Sequence, residues 1–338
     1  MKRNLILDRP YSDFNFKDLV NTLELIQKEH GNLCGITSIK SIDDGEKTKI
    51  VYIKPFPDIV IETKQLDHVI NHNGILYNTN NHYIDEKIKQ PDNYKFILSQ
   101  GHTKNWVDKF HDNYHKITIP KDEIKWMWEA SKIGMITGKF SHIYDDELNA
   151  MCEQYEHLFP KGKWFIRSDR VSLKEGMYGV GPYTSFKSMI ESSVSSGDGH
   201  NVFEPDDIEI NFYLFPWLDI NEDKEFRIFV YNNEITAISS QHLYQVNNWL
   251  SKLSDDKIKE AVYKILLYFD EHIKDKMTYM GSYTMDLALV EPNNDLYFIE
   301  PNSFGKYYAA GSALYSWIYD HDILYDDKVV TVRYCNEY

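Results

Sequence analysis

The chain has 338 residues, 42% of them hydrophobic and 26% charged, with a formal net charge of -15 and three cysteines. That length accommodates two or three packed lobes with a sizeable core, and the acidic balance excludes a general nucleic-acid binder, which needs a cationic surface to displace phosphate counterions. A local cluster of Arg, Lys and metal can still bind ATP against the global sign. No apolar run is long enough to cross a membrane, and the opening MKRNLILDRPYSDF, with its short apolar patch, does not read as a signal peptide. Cys34, Cys152 and Cys335 are odd in number and far apart. They suggest reduced thiols and a cytoplasmic location rather than a disulfide framework.

In chain order, residues 1–120 read as a small α/β lobe. DLVNTLELIQKEH is an amphipathic helix with Leu19, Leu23 and Ile26 on one face. KIVYIKPF, DIVIET, GILYNT and YKFILSQ each read as strands. A helical connector follows over 121–160, with DEIKWMWEASKIG and then DDELNAMCEQYEHLF behind an acidic start that suits a helix N-terminus. From 161 to 338 the pattern is strand (WFIRSD), glycine-bearing loop (KEGMYGVGPY), helix (TSFKSMIESSVSS), two strands (EINFYLFPW and EFRIFVY), a turn at Asn232-Asn233 into EITAISS, a long helix (SDDKIKEAVYKILLYFDEHIK), and a final hairpin of SYTMDLALVE and LYFIEPN.

The final hairpin carries the first candidate site. Side chains alternate along a strand, so Thr284, Asp286 and Ala288 share one face, and Glu300 and Asn302 share a face of the partner strand. Three oxygen donors on a hairpin suit a hard cation such as Mg²⁺ carrying nucleotide phosphates; the alternative is a solvated strand end that turns at Asn302. Arg227 lies inside the apolar EFRIFV with Glu225 on the same face, and a guanidinium there must find an acid or a phosphate. Arg167 follows an aromatic strand start. Lys174 precedes a loop with Gly176, Gly179 and Gly181, whose spacing is not that of a Walker A loop.

Taken in order, Arg167, Trp217, EFRIFV, AISSQH, TMDLALV and IEPNSFG resemble the ATP-grasp superfamily over roughly residues 160–318. The pattern is most similar to the eukaryotic cell-division-cycle proteins that assemble translation initiation factor two, and to the "R-two-K" ATP-grasp clade, named for two arginines and a lysine. The resemblance implies an α+β, ATP-grasp fold: two α+β lobes hold the nucleotide, with a lid at about 163–206 and a central sheet at about 207–318, behind the N-terminal α/β lobe. It further implies ATP and Mg²⁺ as ligands. Arg167 and Lys174 would contact phosphates, Phe215, Pro216 and Trp217 would form the hinge against adenine, Asp286, Glu300 and Asn302 would hold Mg²⁺, and Arg227 would sit at the transferred phosphate as the catalytic cation. Two departures from the assembly-protein pattern stand out. Phe215 and Pro216 replace basic residues before the hinge Trp, and Glu300 replaces an Asp.

The leading expectation is a ligase that joins a carboxylate to an amine through an acyl phosphate, positioned and neutralised by Mg²⁺ and Arg. Neither substrate is identified by the sequence; the acidic surface favours a cationic peptide, protein or amine. The alternative is an ATP-binding assembly chaperone whose partner is a protein complex. A nucleic-acid end-joining enzyme fails on charge and lacks a nucleophilic Lys motif. His111 and His115, spaced i, i+4, lack the third ligand of a zinc site and read as surface histidines; Trp126 and Trp128 read as core.

Overall fold

The computed structural model describes residues 57–79, 90–197, 200–308, 310–326 and 328–337 in full, together with the backbone of three strands near the N-terminus. Its elements in chain order are β1 (Arg3–Ile6), β2 (Cys34–Ser41), β3 (Lys49–Pro55), β4 (Asp58–Gln65), α1 (Leu66–Asn71), α2 (Tyr94–Gln100), α3 (Val107–Phe110), β5 (His115–Pro120), α4 (Lys121–Thr137), α5 (Asp145–Tyr155), β6 (Trp164–Ser168), α6 (Phe186–Ser195), β7 (Glu209–Pro216), β8 (Glu225–Tyr231), β9 (Glu234–Ser240), α7 (Asp255–Tyr268), β10 (Tyr283–Val290), β11 (Asp295–Asn302), α8 (His321–Leu324) and β12 (Val329–Glu337). This is the mixed α+β architecture that the sequence leads one to expect. The helix expected over 18–30 lies outside the described residues.

The chain divides into two compact units. One comprises residues 1–90, 221–299 and 304–338; the other comprises 91–220 and 300–303, and so contains the whole of the expected connector. The first unit is built on a six-stranded sheet of order β11-β10-β8-β9-β12-β4, with a second, three-stranded sheet of order β1-β3-β2. β12 runs parallel to both β4 and β9, whereas β8 is antiparallel to β9 and β10. Asn232 and Asn233 take φ of 49° and 61° at the β8–β9 turn, the left-handed pair that a two-residue hairpin requires.

One polar row crosses this sheet in register: Asp286 opposite Arg227, Arg227 opposite Ser239, Ser239 opposite Arg333, and Arg333 opposite Glu62. Paired residues share a face, so the row alternates acid, base, hydroxyl, base, acid. The segment after β11 is tied along it: Arg227 Nη1 donates to Gly311 O at 2.9 Å, Leu314 N donates to Ser239 Oγ at 3.1 Å, and Arg333 Nη1 donates to Leu314 O at 3.2 Å. Arg333 also meets Asp320 and Glu62, each at 2.7 Å. Its proton is held well above the ordinary arginine range by these acids, against the cost of burial.

The second unit packs α4, α5 and α6 against the sheet β5-β7-β6. Alternation puts Ile117, Ile119, Ile166, Phe212 and Leu214 into the core beneath Met127, Met189 and Ile190. Trp126 and Trp128 pack partly buried against that core, as expected. Gly134 on α4 meets the backbone of Val194 on α6, and a Cβ there would overlap it; only glycine permits so close an approach.

Two expected strands are corrected. YKFILSQ is helix α2, behind Pro91, Asp92 and Asn93. Its short apolar run carries no period that separates strand from helix, and none of its residues is fully buried. GILYNT is an irregular turn bridged from Asn73 to Tyr77, with Gly74 and Asn78 at φ of 77° and 47°, values that break an extended chain. The last expected helix leaves α-geometry at Tyr268 and finishes through a wider turn over Phe269–Ile273.

Candidate functional site

The first unit holds Arg227 and Asp286. Both come from the interior of the sheet, where cross-strand register places them opposite each other. Arg227 Nε donates to Asp286 Oδ1 at 2.9 Å and Nη2 to Oδ2 at 2.8 Å, a bidentate pair of side chains 12% and 2% exposed. Glu225, two residues before the arginine, instead meets His242 at 3.3 Å, and the hydrogen bond to that carboxylate raises the imidazole pKa. Gln241 follows β9, its backbone N bonded to Glu225 O; its Nε2 lies 3.5 Å from Asp286 Oδ2. Gln241 Oε1 and Thr284 Oγ1 are buried and without a hydrogen-bond partner.

The second unit holds Arg167, Lys174, Phe215, Trp217, Glu300 and Asn302. Arg167 is buried. Its Nη2 pairs with Glu300 Oε2, its Nε donates to Thr103 Oγ1 at 3.3 Å, and its guanidinium lies 5.1 Å from the centre of the Trp106 ring and 5.8 Å from that of Phe165. Lys174 Nζ stands 3.8 Å from Glu300 Oε1 with its side chain 37% exposed. Two cations therefore share one carboxylate, leaving the trio with an excess positive charge inside an acidic chain. His200 feels the same charges. Burial first, then Lys174, push its pKa down, and its Nδ1 is buried with no partner among the described residues. The Asn302 Nδ2 is likewise buried and unpartnered.

Phe215 is buried, with His111 edge-on at 5.1 Å and Tyr114 at 5.8 Å. His111 is thus packed on Phe215 and Trp106 rather than lying at the surface, and His115 begins β5, so the two share no helix face. The half-buried Trp217 donates its backbone N to Lys163 O at 2.9 Å. The glycine loop is tied down: Met177 N donates to Ser195 Oγ, Tyr178 N to Ser192 Oγ, and Tyr183 OH bonds Leu173 O and Gly179 O. Gly176 lies against the α6 backbone at Ser192, where a Cβ would overlap. A loosely held loop is not what these contacts describe.

Sequence reasoning missed Thr103, Trp106, His200 and Gln241. Thr103 and Trp106 lie more than 60 positions from Arg167 and nothing local marks them. Gln241 stood within the quoted AISSQH, where a polar residue directly after a buried strand was the available signal. The buried Asp169 was also missed. It accepts bonds from Asn211 N and Nδ2 and from Tyr213 OH and fixes the start of β7 to the end of β6.

Among the described residues no three or more His, Cys, Asp or Glu side chains cluster as a metal site; the expected set consists of two carboxylates and one carboxamide. Those donors are all oxygen-bearing, as a hard cation requires, and within the first unit Gln241 Oε1 and Thr284 Oγ1 are buried with no hydrogen-bond partner among the described residues.

Residues 187–336 match the D123 family model. Over those residues the chain is similar to this family. It is 29% identical over 282 residues to the "Cell division cycle protein 123" of Yarrowia lipolytica, covering 69% of this chain and 71% of that protein. It is 32% identical over 114 residues to the "Translation initiation factor eIF2 assembly protein" of Kluyveromyces lactis and 30% identical over 109 residues to that of Vanderwaltozyma polyspora. These two matches cover 32% of this chain each, and 28% and 27% of those proteins. Among solved structures, Cdc123 from Schizosaccharomyces pombe aligns with a TM-score of 0.47 at 12% identity, covering 71% of this chain and 98% of that one. D-alanyl-alanine synthetase A from Vibrio cholerae aligns with a TM-score of 0.30 at 11% identity, covering 90% and 87%.

Proposed function

We propose that the chain is a Mg²⁺·ATP-binding protein that assists the assembly of a protein complex, as the names of its relatives state for a translation initiation factor. The observation that carries the nucleotide half of this reading is the charge pairing. Asp286 is closed by Arg227, and Glu300 by Arg167 and Lys174. Each acid that would hold a cation is already beside a base that would hold a phosphate. A Mg²⁺–phosphate ligand carries the same two signs, so it can exchange partners with these pairs without stranding a buried charge. When bound, Mg²⁺ would neutralise phosphate charge; Asp286 in the first unit, and Glu300 and Asn302 in the second, are its candidate ligands. Arg167 would keep its hydrogen bond to Thr103 while its other edge turned from carboxylate to phosphate.

The assembly role is preferred to the carboxylate–amine ligase because the relatives carry assembly names. Two measurements test the reading. Calorimetry with ATP should give binding that depends on Mg²⁺. Capture of recombinant initiation-factor subunits should strengthen when Mg²⁺·ATP is added. ADP and phosphate formed in stoichiometric step with an amino acid or peptide acceptor would instead establish the ligase, and no ATP binding at millimolar concentration would reject both.

A further inference from the structure

The row of partners around Asp286 leaves one side chain unexplained. Gln241 is held in place by its backbone N on Glu225 O, and its amide reaches Asp286. Its Nε2 lies 3.5 Å from Oδ2, a long contact to a carboxylate that Arg227 already engages on both oxygens. Its Oε1 is buried and accepts from nothing. A buried acceptor without a donor is costly to keep, and turning the amide over does not relieve it. The exchanged amide would set Oε1 against the carboxylate and leave the NH₂ to find a partner. A cation reconciles two oxygens in that position. The 3.5 Å from Nε2 to Oδ2, which the exchanged amide oxygen would inherit, is close to the roughly 3.4 Å between neighbouring oxygens around an ion with bonds of about 2.4 Å. Methionine or leucine would fill the same space with no orphaned atom, so the amide is poorly explained by packing.

We propose that Gln241 is a further oxygen ligand of the divalent cation at Asp286. This rests on the Mg²⁺·ATP reading above, in which Asp286 belongs to the cation site. In the cation-free protein the amide faces the carboxylate through Nε2. With the cation present it turns, Oε1 takes the ion, and the guanidinium of Arg227 is freed from Oδ2 toward an arriving phosphate. A neutral amide oxygen beside a carboxylate adds a ligand without adding charge, which suits a site already next to an arginine.

The test uses Mn²⁺ alone as the probe, followed by electron paramagnetic resonance, with thermal unfolding of the metal-free protein as a second readout. Gln241→Met should weaken Mn²⁺ binding at least tenfold while the metal-free protein melts at the same temperature or higher. Gln241→Glu should do the reverse, binding Mn²⁺ more tightly but melting lower without it because of repulsion from Asp286. Asp286→Asn is the reference. If it abolishes Mn²⁺ binding while Gln241→Met leaves binding intact and melts lower, Gln241 is a structural residue and the inference is overturned by itself. If Asp286→Asn binds Mn²⁺ as the wild type does, or the wild type binds none, the cation site itself is misassigned and the inference falls with it.

Discussion

Asp286 and Glu300 are both carboxylates at candidate cation positions, yet the two units hold them differently. Asp286 lies in mid-sheet and meets Arg227 in a bidentate pair fixed by strand register. Glu300 is shared by Arg167, which is buried, and Lys174, which is partly in water. A buried bidentate pair fixes geometry, and its loss leaves a buried charge without its main counterion. A shared carboxylate has a reserve partner and a spare cation, which suits the recruitment of an anion. The histidines differ in the same sense. In the second unit burial and neighbouring cations push the His200 pKa down, and burial followed by Arg170 and Lys104 takes His102 down to about 4. In the first unit the hydrogen bond to Glu225 keeps His242 protonated to higher pH.

The largest expected effect breaks the bidentate Arg227–Asp286 pair. Arg227→Met should lower stability by about 3–5 kcal/mol, the usual result of leaving a buried charge alone, read from urea unfolding. Arg167→Met should cost less, about 1–3 kcal/mol, because Lys174 remains beside Glu300. Equal losses would remove the distinction between the two carboxylates.

The histidines give the next effect, through pH. His102 and His200 have folded pKa values below their unfolded ones, so the stability they contribute is full above the unfolded value, about 6.5, and is lost as pH falls through the folded value, for His102 about 4. His242 has the opposite sign. Its contribution is full below the unfolded value and is lost as pH rises through the raised folded value. Imidazole NMR titrations should therefore move in opposite directions from 6.5, and His102→Asn should flatten the acid limb of the stability profile. A His242 titrating below His200 would contradict this.

The smallest stability effect belongs to Lys174→Met. The side chain is 37% exposed, so unfolding free energy should change by less than about 1 kcal/mol. Binding of Mg²⁺·ATP should nonetheless weaken at least tenfold. A large change in stability with unchanged binding would make Lys174 a structural residue.

Much of this arrangement was legible in the sequence. Strand alternation put Glu225 with Arg227 on one face and Glu300 with Asn302 on another, because a two-residue period and apolar flanks survive in one dimension. A guanidinium inside EFRIFV had to have a partner; that the partner is Asp286 depends on the β8–β10 register, 59 residues apart, which no local pattern encodes. Likewise Thr103 and Trp106 reach Arg167 through the tertiary path of the segment that follows YKFILSQ, whose strand-like reading was itself corrected. In the 176–181 loop Gly176 serves close packing against α6, a use of glycine that composition alone does not separate from backbone freedom.

Calorimetry of Mg²⁺·ATP with the wild type, Asp286→Asn and Glu300→Gln tests most directly whether these two carboxylates each take part in binding the nucleotide with its cation. Both variants should remain folded and lose Mg²⁺-dependent binding, while Asp295→Asn, exposed at the start of β11, should bind as the wild type does. Wild-type affinity in folded Glu300→Gln and Asp286→Asn would contradict the account and leave both pairs as structural salt bridges.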